Sequence, residues 1–250
     1  PLLFLLLLYF FPQGRIESMD PGAKDKFSFS YLVIGIGVKF PEFLELVRAK
    51  LENACPYIAA VFPKRLKLSP IEYKQICGYD IYTDSDDDSD DELNSDDEDS
   101  EKKMKIERNS QYIARMDALI GFYAAFLQSS SSAGCQIEDG WKWLSRTMQT
   151  EPLRPITPVL VYRFLTVAGH KLLRTYQGQF HKIMVYIFKN FVEYEKYGVS
   201  KANAVVLDAL PVHYKANIKS FFETYFQSGN KLPPPDGSII RSQIADRLGT

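Results

Sequence analysis

Apolar residues recur at helical intervals in four places along the chain. Phe40, Leu44, Val47, Leu51 and Ala54 step by four and three residues, which places them on one face of a helix. Ile113, Met116, Ile120, Tyr123 and Leu127 do the same further on. Tyr176, Phe180, Ile183 and Ile187 form a third stripe, widened by Met184 and Phe188, and Ile218, Phe221, Phe222 and Tyr225 a fourth. Between the second and third, residues 139–149 and 159–173 also read as helices. Pro152, Pro155 and Pro158 separate those two, because proline lacks the amide donor that a helix interior needs.

Only Phe27 to Val38 (FSFSYLVIGIGV) shows strand-like alternation, and a buried helix accounts for it equally well. The pattern predicts an all-α fold of stacked helix pairs. It has no fixed sequence period, so any HEAT-like character is irregular. Asp84 to Glu101 breaks the pattern altogether, with like charges that repel and almost nothing to bury, and a disordered surface insert is expected across residues 83–108. Such an insert need not divide the domain, since loop closure entropy grows slowly with length. Ser129 to Ser132 reads as a shorter flexible connection, and Pro233 to Pro235 as the start of an extended tail, with residues 239–250 beyond it.

Composition supports one globular body. Of 250 residues, 46% are hydrophobic and 14% aromatic, which excludes a disordered chain. The N-terminal PLLFLLLLYFF has eleven apolar residues before Pro12, too few to span a bilayer, which takes about 20. It also lacks the basic n-region and small-residue cleavage site of a signal peptide. Residues 1–12 are read as an atypical apolar segment, a fragment start or gene-model artefact, and 13–238 as the helical domain.

The formal charge of −1 hides an asymmetry. The acidic run holds 12 carboxylates; without it 30 basic residues face 19 acidic ones, a body of formal charge +11. An anionic partner is one consequence of such a body, and an ordinary solvated surface is the other.

Candidate chemistry is sparse. A calcium loop starting at Asp84 would place Ser89 at position 6 and Ser95 at position 12, where Gly and a bidentate Glu belong. Starting at Asp86 places Asp91 and Asp97 there instead. Ser85, Ser89 and Ser95 are each followed by acidic residues at the next three positions, the setting an acidophilic kinase uses, so they are candidate phosphorylation sites. Gly35-Ile36-Gly37 would need a third glycine where Phe40 stands, which excludes a dinucleotide loop. His170, His181 and His213 lack metal-ligand spacing, and His170 and His181 read as helix-surface or structural hydrogen-bonding residues. Cys55, Cys77 and Cys135 form no CxxC pair. No metal site and no catalytic group is read from the chain.

Five segments carry a resemblance. They are FPEFLELVRAKLENACPY (Phe40–Tyr57), SPIEYKQICGY (Ser69–Tyr79), ARMDALIGFYAAFLQ (Ala114–Gln128), GWKWLSRTMQTEPL (Gly140–Leu153) and FLTVAGHKLLRTYQGQFHKI (Phe164–Ile183). In order and spacing they resemble the C-terminal domain of the Gle-one family of mRNA-export factors, over about Gln13 to Ser238. Trp141, Trp143, Leu144, Phe164 and Phe180 identify the family, but packing on apolar stripes explains them without a binding role.

The resemblance implies a HEAT-like all-α domain similar to the middle domain of translation initiation factor four-G. It implies a non-enzymatic activator that binds a DEAD-box mRNA-export helicase at the cytoplasmic face of the nuclear pore or in the cytoplasm. The activator holds the helicase lobes apart, which promotes RNA release. Other implied partners are an FG-repeat nucleoporin, translation initiation and termination factors, and a phospholipid or inositol phosphate.

Fungal members use inositol hexakisphosphate as a tether in a basic pocket. Matched to that pocket, Lys50 and Arg115 keep charge while Asn53 and Ala54 do not, and Lys64, Arg65 and Lys67 are candidate compensating cations. On this reading no cofactor is required, and inositol hexakisphosphate is the candidate ligand. The alternative is an RNA-binding or scaffold domain of the translation-factor type.

Overall fold

The computed structural model describes residues 23–64, 67–83, 104–129, 136–150, 154–198, 201–208 and 210–238. Expectations for the apolar N-terminal segment, Arg65, the acidic serines Ser85, Ser89 and Ser95, the serine-rich connection beyond Ser129 and the last twelve residues lie outside them.

The fold is all-α. Helices α1 (Ala23–Lys39) and α2 (Pro41–Ala54) are followed by a 3₁₀ turn (Pro56–Ala59) and a short α3 (Pro70–Ile76). Two three-residue strands, β1 (Ile81–Thr83) and β2 (Met104–Ile106), precede the long α4 (Asn109–Ser129). Then come α5 (Ile137–Met148), α6 (Thr157–Tyr176), α7 (Gly178–Phe191), α8 (Lys201–Asp208) and α9 (Val212–Gln227).

The strands were not expected. They pair antiparallel, Thr83 opposite Met104 and Ile81 opposite Ile106, so part of the 83–108 stretch read as insert belongs to the folded body. Three residues per strand are too few for alternation to register in the sequence. The stretch from Phe27 to Val38 is helical, as its alternative reading allowed.

Helices α4 and α6 form the centre of the stack and pack most extensively on each other, with α1 against α4, α5 and α7 against α6, and α9 closing the far side. Every residue of α4 from Arg115 to Leu127 is buried, which explains why its stripe in the sequence is broad. Arg163 of α6 reaches Asp117 of α4 in a fork, Nε to Oδ1 at 2.9 Å and Nη2 to Oδ2 at 2.7 Å. That geometry satisfies both charges where solvent is largely excluded. Ser30 and Ser129 share a 2.9 Å hydrogen bond between α1 and the end of α4.

Two details depart from the stripes. Phe40 caps α2 from outside and is exposed, so the face begins at Phe43 and Leu44. The third stripe is not one helix: Gln177, at φ 43 and ψ −113, ends α6 and starts α7. After α9 the tail turns back. Leu232 packs beside Gly169, and its carbonyl oxygen lies 2.7 Å from Nδ1 of His170. His181 lies 3.1 Å from the Tyr225 hydroxyl, so both histidines have the structural roles expected of them.

Candidate functional site

The Cys-Pro turn is the junction where most family-specific segments meet. Helix α2 ends at Ala54, Cys55 is extended, and Pro56 starts the 3₁₀ turn with its amide-free nitrogen where no donor is needed. Trp143 of α5 donates from Nε1 to the carbonyl of Tyr57 at 2.7 Å, which fixes the turn against the core. Trp143 also packs on Phe164, ring centroids 4.3 Å apart. Burial pushes the Cys55 thiol up to about 12, so it stays protonated and unreactive.

Behind the turn runs a chain of phenols. Tyr57 and Tyr112 share a 2.7 Å hydrogen bond, and Tyr112 donates on to the carbonyl of Cys77 at 3.0 Å. Tyr79 stacks on Tyr112 at 3.6 Å between centroids and donates to Oδ1 of Asn109 at 2.9 Å. Burial raises the pKa of Tyr57 and Tyr112 and takes Tyr79 to about 12, so all three are neutral donors near neutral pH.

Helix α3 delivers Tyr79 to this position. Its capping box pairs Ser69 with Glu72 in both directions, at 2.8 and 3.3 Å, and Gly78 closes it at φ 85, a left-handed turn that suits glycine.

The sequence-derived polyphosphate residues separate into three groups. Lys50 on α2 and Lys64 and Lys67 after the turn are exposed. Arg65 lies outside the described residues. Arg115 is corrected: it is buried, with Nη2 2.6 Å from Oε2 of Glu107 and 2.6 Å from the carbonyl of Gly78, and Nε 3.1 Å from Oε1 of Glu107. Asp80 adds a second carboxylate at 3.4 Å. One buried cation facing a buried acid and a more exposed one is a structural clasp between α4, the residue after β2 and the Gly-Tyr turn. It is not a polyanion contact, since a hexaphosphate would meet net negative charge there.

At the remaining matched positions Asn53 carries no charge and Ala54 is buried in the core. The matched residues do not fit a highly charged polyphosphate as a set, and only Lys50 among them offers an exposed cation. Sequence reasoning missed the clasp because Glu107 stood next to a long acidic run and read as part of it.

Beside the phenols lies a cavity of about 250 Å³, walled by Tyr73, Cys77, Tyr79, Tyr112, Arg154 and Leu210 among others. Nε of Arg154 is buried without a hydrogen-bond partner among the described residues. Among the described residues no group of three or more His, Cys, Asp or Glu side chains is placed to hold a metal, and no helix is long and apolar enough to cross a membrane.

Comparison with known proteins gives a consistent picture. The model of the family described as GLE1-like protein matches residues 23–188. The mRNA export factor GLE1 of Rattus norvegicus is 29% identical over 190 residues, 73% of this chain and 24% of the rat protein. The mRNA export factor Gle1 of Drosophila melanogaster is 28% identical over 168 residues, 64% of this chain and 22% of its own length. The chain thus spans about a quarter of the length of the curated relatives it matches.

Among solved structures, S. cerevisiae Gle1 bound to IP6 and the C-terminal domain of a Dbp5 variant aligns with a TM-score of 0.61. The sequence identity is 18%, and the alignment covers 90% of this chain and 68% of that one. A second such complex aligns at 0.59 and 17% identity. This likeness is one of fold.

Proposed function

We propose that this chain, which belongs to the GLE1-like protein family, is a non-catalytic activator of a DEAD-box RNA helicase in mRNA export, acting at the cytoplasmic face of the nuclear pore. The family match across residues 23–188, together with relatives named as mRNA export factors, carries the reading. The yeast relative of the same fold is bound to the C-terminal domain of Dbp5, which suits a helical stack that offers a helicase lobe one rigid face.

Activation needs no reacting group from this chain. A protein that binds the open helicase better than the closed one shifts that equilibrium by its differential affinity alone, and RNA leaves as the lobes part. Inositol hexakisphosphate is no requirement here: Arg115 is committed to Glu107, and Asn53 and Ala54 bring no charge. An FG-repeat nucleoporin and translation factors are further partners on this reading.

Steady-state ATPase of the cognate helicase at limiting RNA, titrated with this chain, tests it. A rise in rate without inositol hexakisphosphate is expected. A flat response with and without the polyphosphate, from protein with a cooperative thermal transition, would reduce the kinship to one of fold. The second reading rests on the basic body: direct RNA binding would lose affinity steeply as salt rises through counterion release, whereas a protein interface would not.

A further inference from the structure

The cavity beside the phenol chain contains more than packing needs. Its described lining includes no carboxylate, and Arg154 is its one ionised side chain. The Nε of Arg154 is buried and unpartnered among the described residues, so one donor of the guanidinium that lines the cavity lacks an acceptor there. Backbone atoms of the same residue are occupied, with the amide donating to Thr157 Oγ1 at 3.2 Å. Arg154 is half-buried and stands three residues before the start of α6 at Thr157.

The opposite wall is aromatic. Tyr79 and Tyr112 stack face to face, and Tyr73 lies on the same side, its hydroxyl directed to the carbonyl of Pro63 at 3.4 Å. Lys74 sits at the rim with Nζ 5.4 Å from the Tyr79 ring centroid, which adds positive potential without entering the cavity. Since the phenols stay protonated, nothing in the wall opposes a negative charge.

We propose that this cavity is a binding site for a small free aryl anion, an aromatic ring bearing one carboxylate or phosphate. The ring lies along the Tyr79–Tyr112 wall and the acid accepts from Arg154 in a charge-assisted bond. A volume of about 250 Å³ has room for one ring and one acidic substituent and excludes a polyphosphate or a nucleotide. The inference stands apart from the helicase reading, since neither Arg115 nor Lys50, Lys64 or Lys67 lines the cavity.

Phenyl phosphate, benzoate and the neutral benzyl alcohol, each followed by ligand-observed NMR and calorimetry on the whole chain, test the site. The two anions are expected to bind and the alcohol not to. Arg154→Met should weaken anion binding on the order of tenfold, and Arg154→Lys should restore most of it. The melting temperature of each variant separates loss of binding from loss of fold. Three outcomes would overturn the proposal: no binding of either anion, equal affinity of Arg154→Met and the parent chain, or equal affinity for alcohol and acid. Tighter binding of a phosphotyrosine peptide than of phenyl phosphate would overturn the assignment to a free small molecule.

Discussion

Arg115 and Glu107 can be separated experimentally by which partner is removed. Arg115→Met leaves the Glu107 carboxylate buried without its cation, and a loss of about 3–5 kcal/mol in unfolding free energy is expected by denaturant titration. Glu107→Gln keeps one acceptor for the guanidinium and should cost less. A polyphosphate contact at Arg115 would predict the reverse, little change in stability and a loss of ligand binding. Trp143→Phe keeps an aromatic ring but removes the donor to Tyr57 along with part of the packed indole. The carbonyl of the Cys-Pro turn then loses its partner, at a cost of about 1–3 kcal/mol visible as a lower denaturation midpoint. At this scale the sequence was a poor guide. A cation matched by position to a family pocket cannot be told from one sealed against a carboxylate until the distant segments 78–80 and 104–107 are brought beside it.

The boundary between α6 and α7 is set by one residue. Gln177 holds φ 43 and ψ −113, a combination that costs a side-chain-bearing residue about 1–3 kcal/mol, and its side chain is exposed. Gln177→Gly is expected to raise the denaturation midpoint by roughly 1 kcal/mol equivalent while leaving the helical circular dichroism unchanged. The packing of Gly169 permits the tail to return: a Cβ there would lie 2.9 Å from Leu232. Gly169→Val should expel Leu232 and expose the 231–235 segment to limited proteolysis, with the helical core intact.

Elements of this kind were legible to different degrees. Helices α2, α7 and α9 were clear because each buries one face at a regular step, as with Leu44, Val47 and Leu51. The α6–α7 break was invisible because Tyr176 and Phe180 keep the helical step across it. Strands β1 and β2 and the short α8 are too brief for any period to show. The cavity could not be read at all, since Arg154, Leu210 and Tyr79 lie far apart in sequence and carry no motif.

The whole molecule answers to pH through its tyrosines. Burial raises Tyr57, Tyr79, Tyr112 and Tyr214, the second and fourth to about 12, above the ordinary value of 10. A group whose folded pKa is raised contributes stability that is present below its unfolded pKa and lost as pH climbs toward the folded one. Thermal melts are therefore expected to be level below about pH 10 and to fall steadily between about 10 and 12, with tyrosinate absorbance rising at the same transition. A flat melting temperature through that window would show that these phenols reach solvent.

The pairing of Thr83 with Met104 has a consequence of another kind. It clamps the two chain ends that flank residues 84–103 one strand spacing apart, about 5 Å, on the outside of the stack. With those ends held, the cost of closing the connection depends only weakly on its length: a twofold longer one adds only about 0.6 kcal/mol of closure entropy. Replacing residues 84–103 by a bare Asn-Gly turn or by a fluorescent reporter domain is therefore expected to leave the helical circular dichroism and the melting temperature of the stack unchanged.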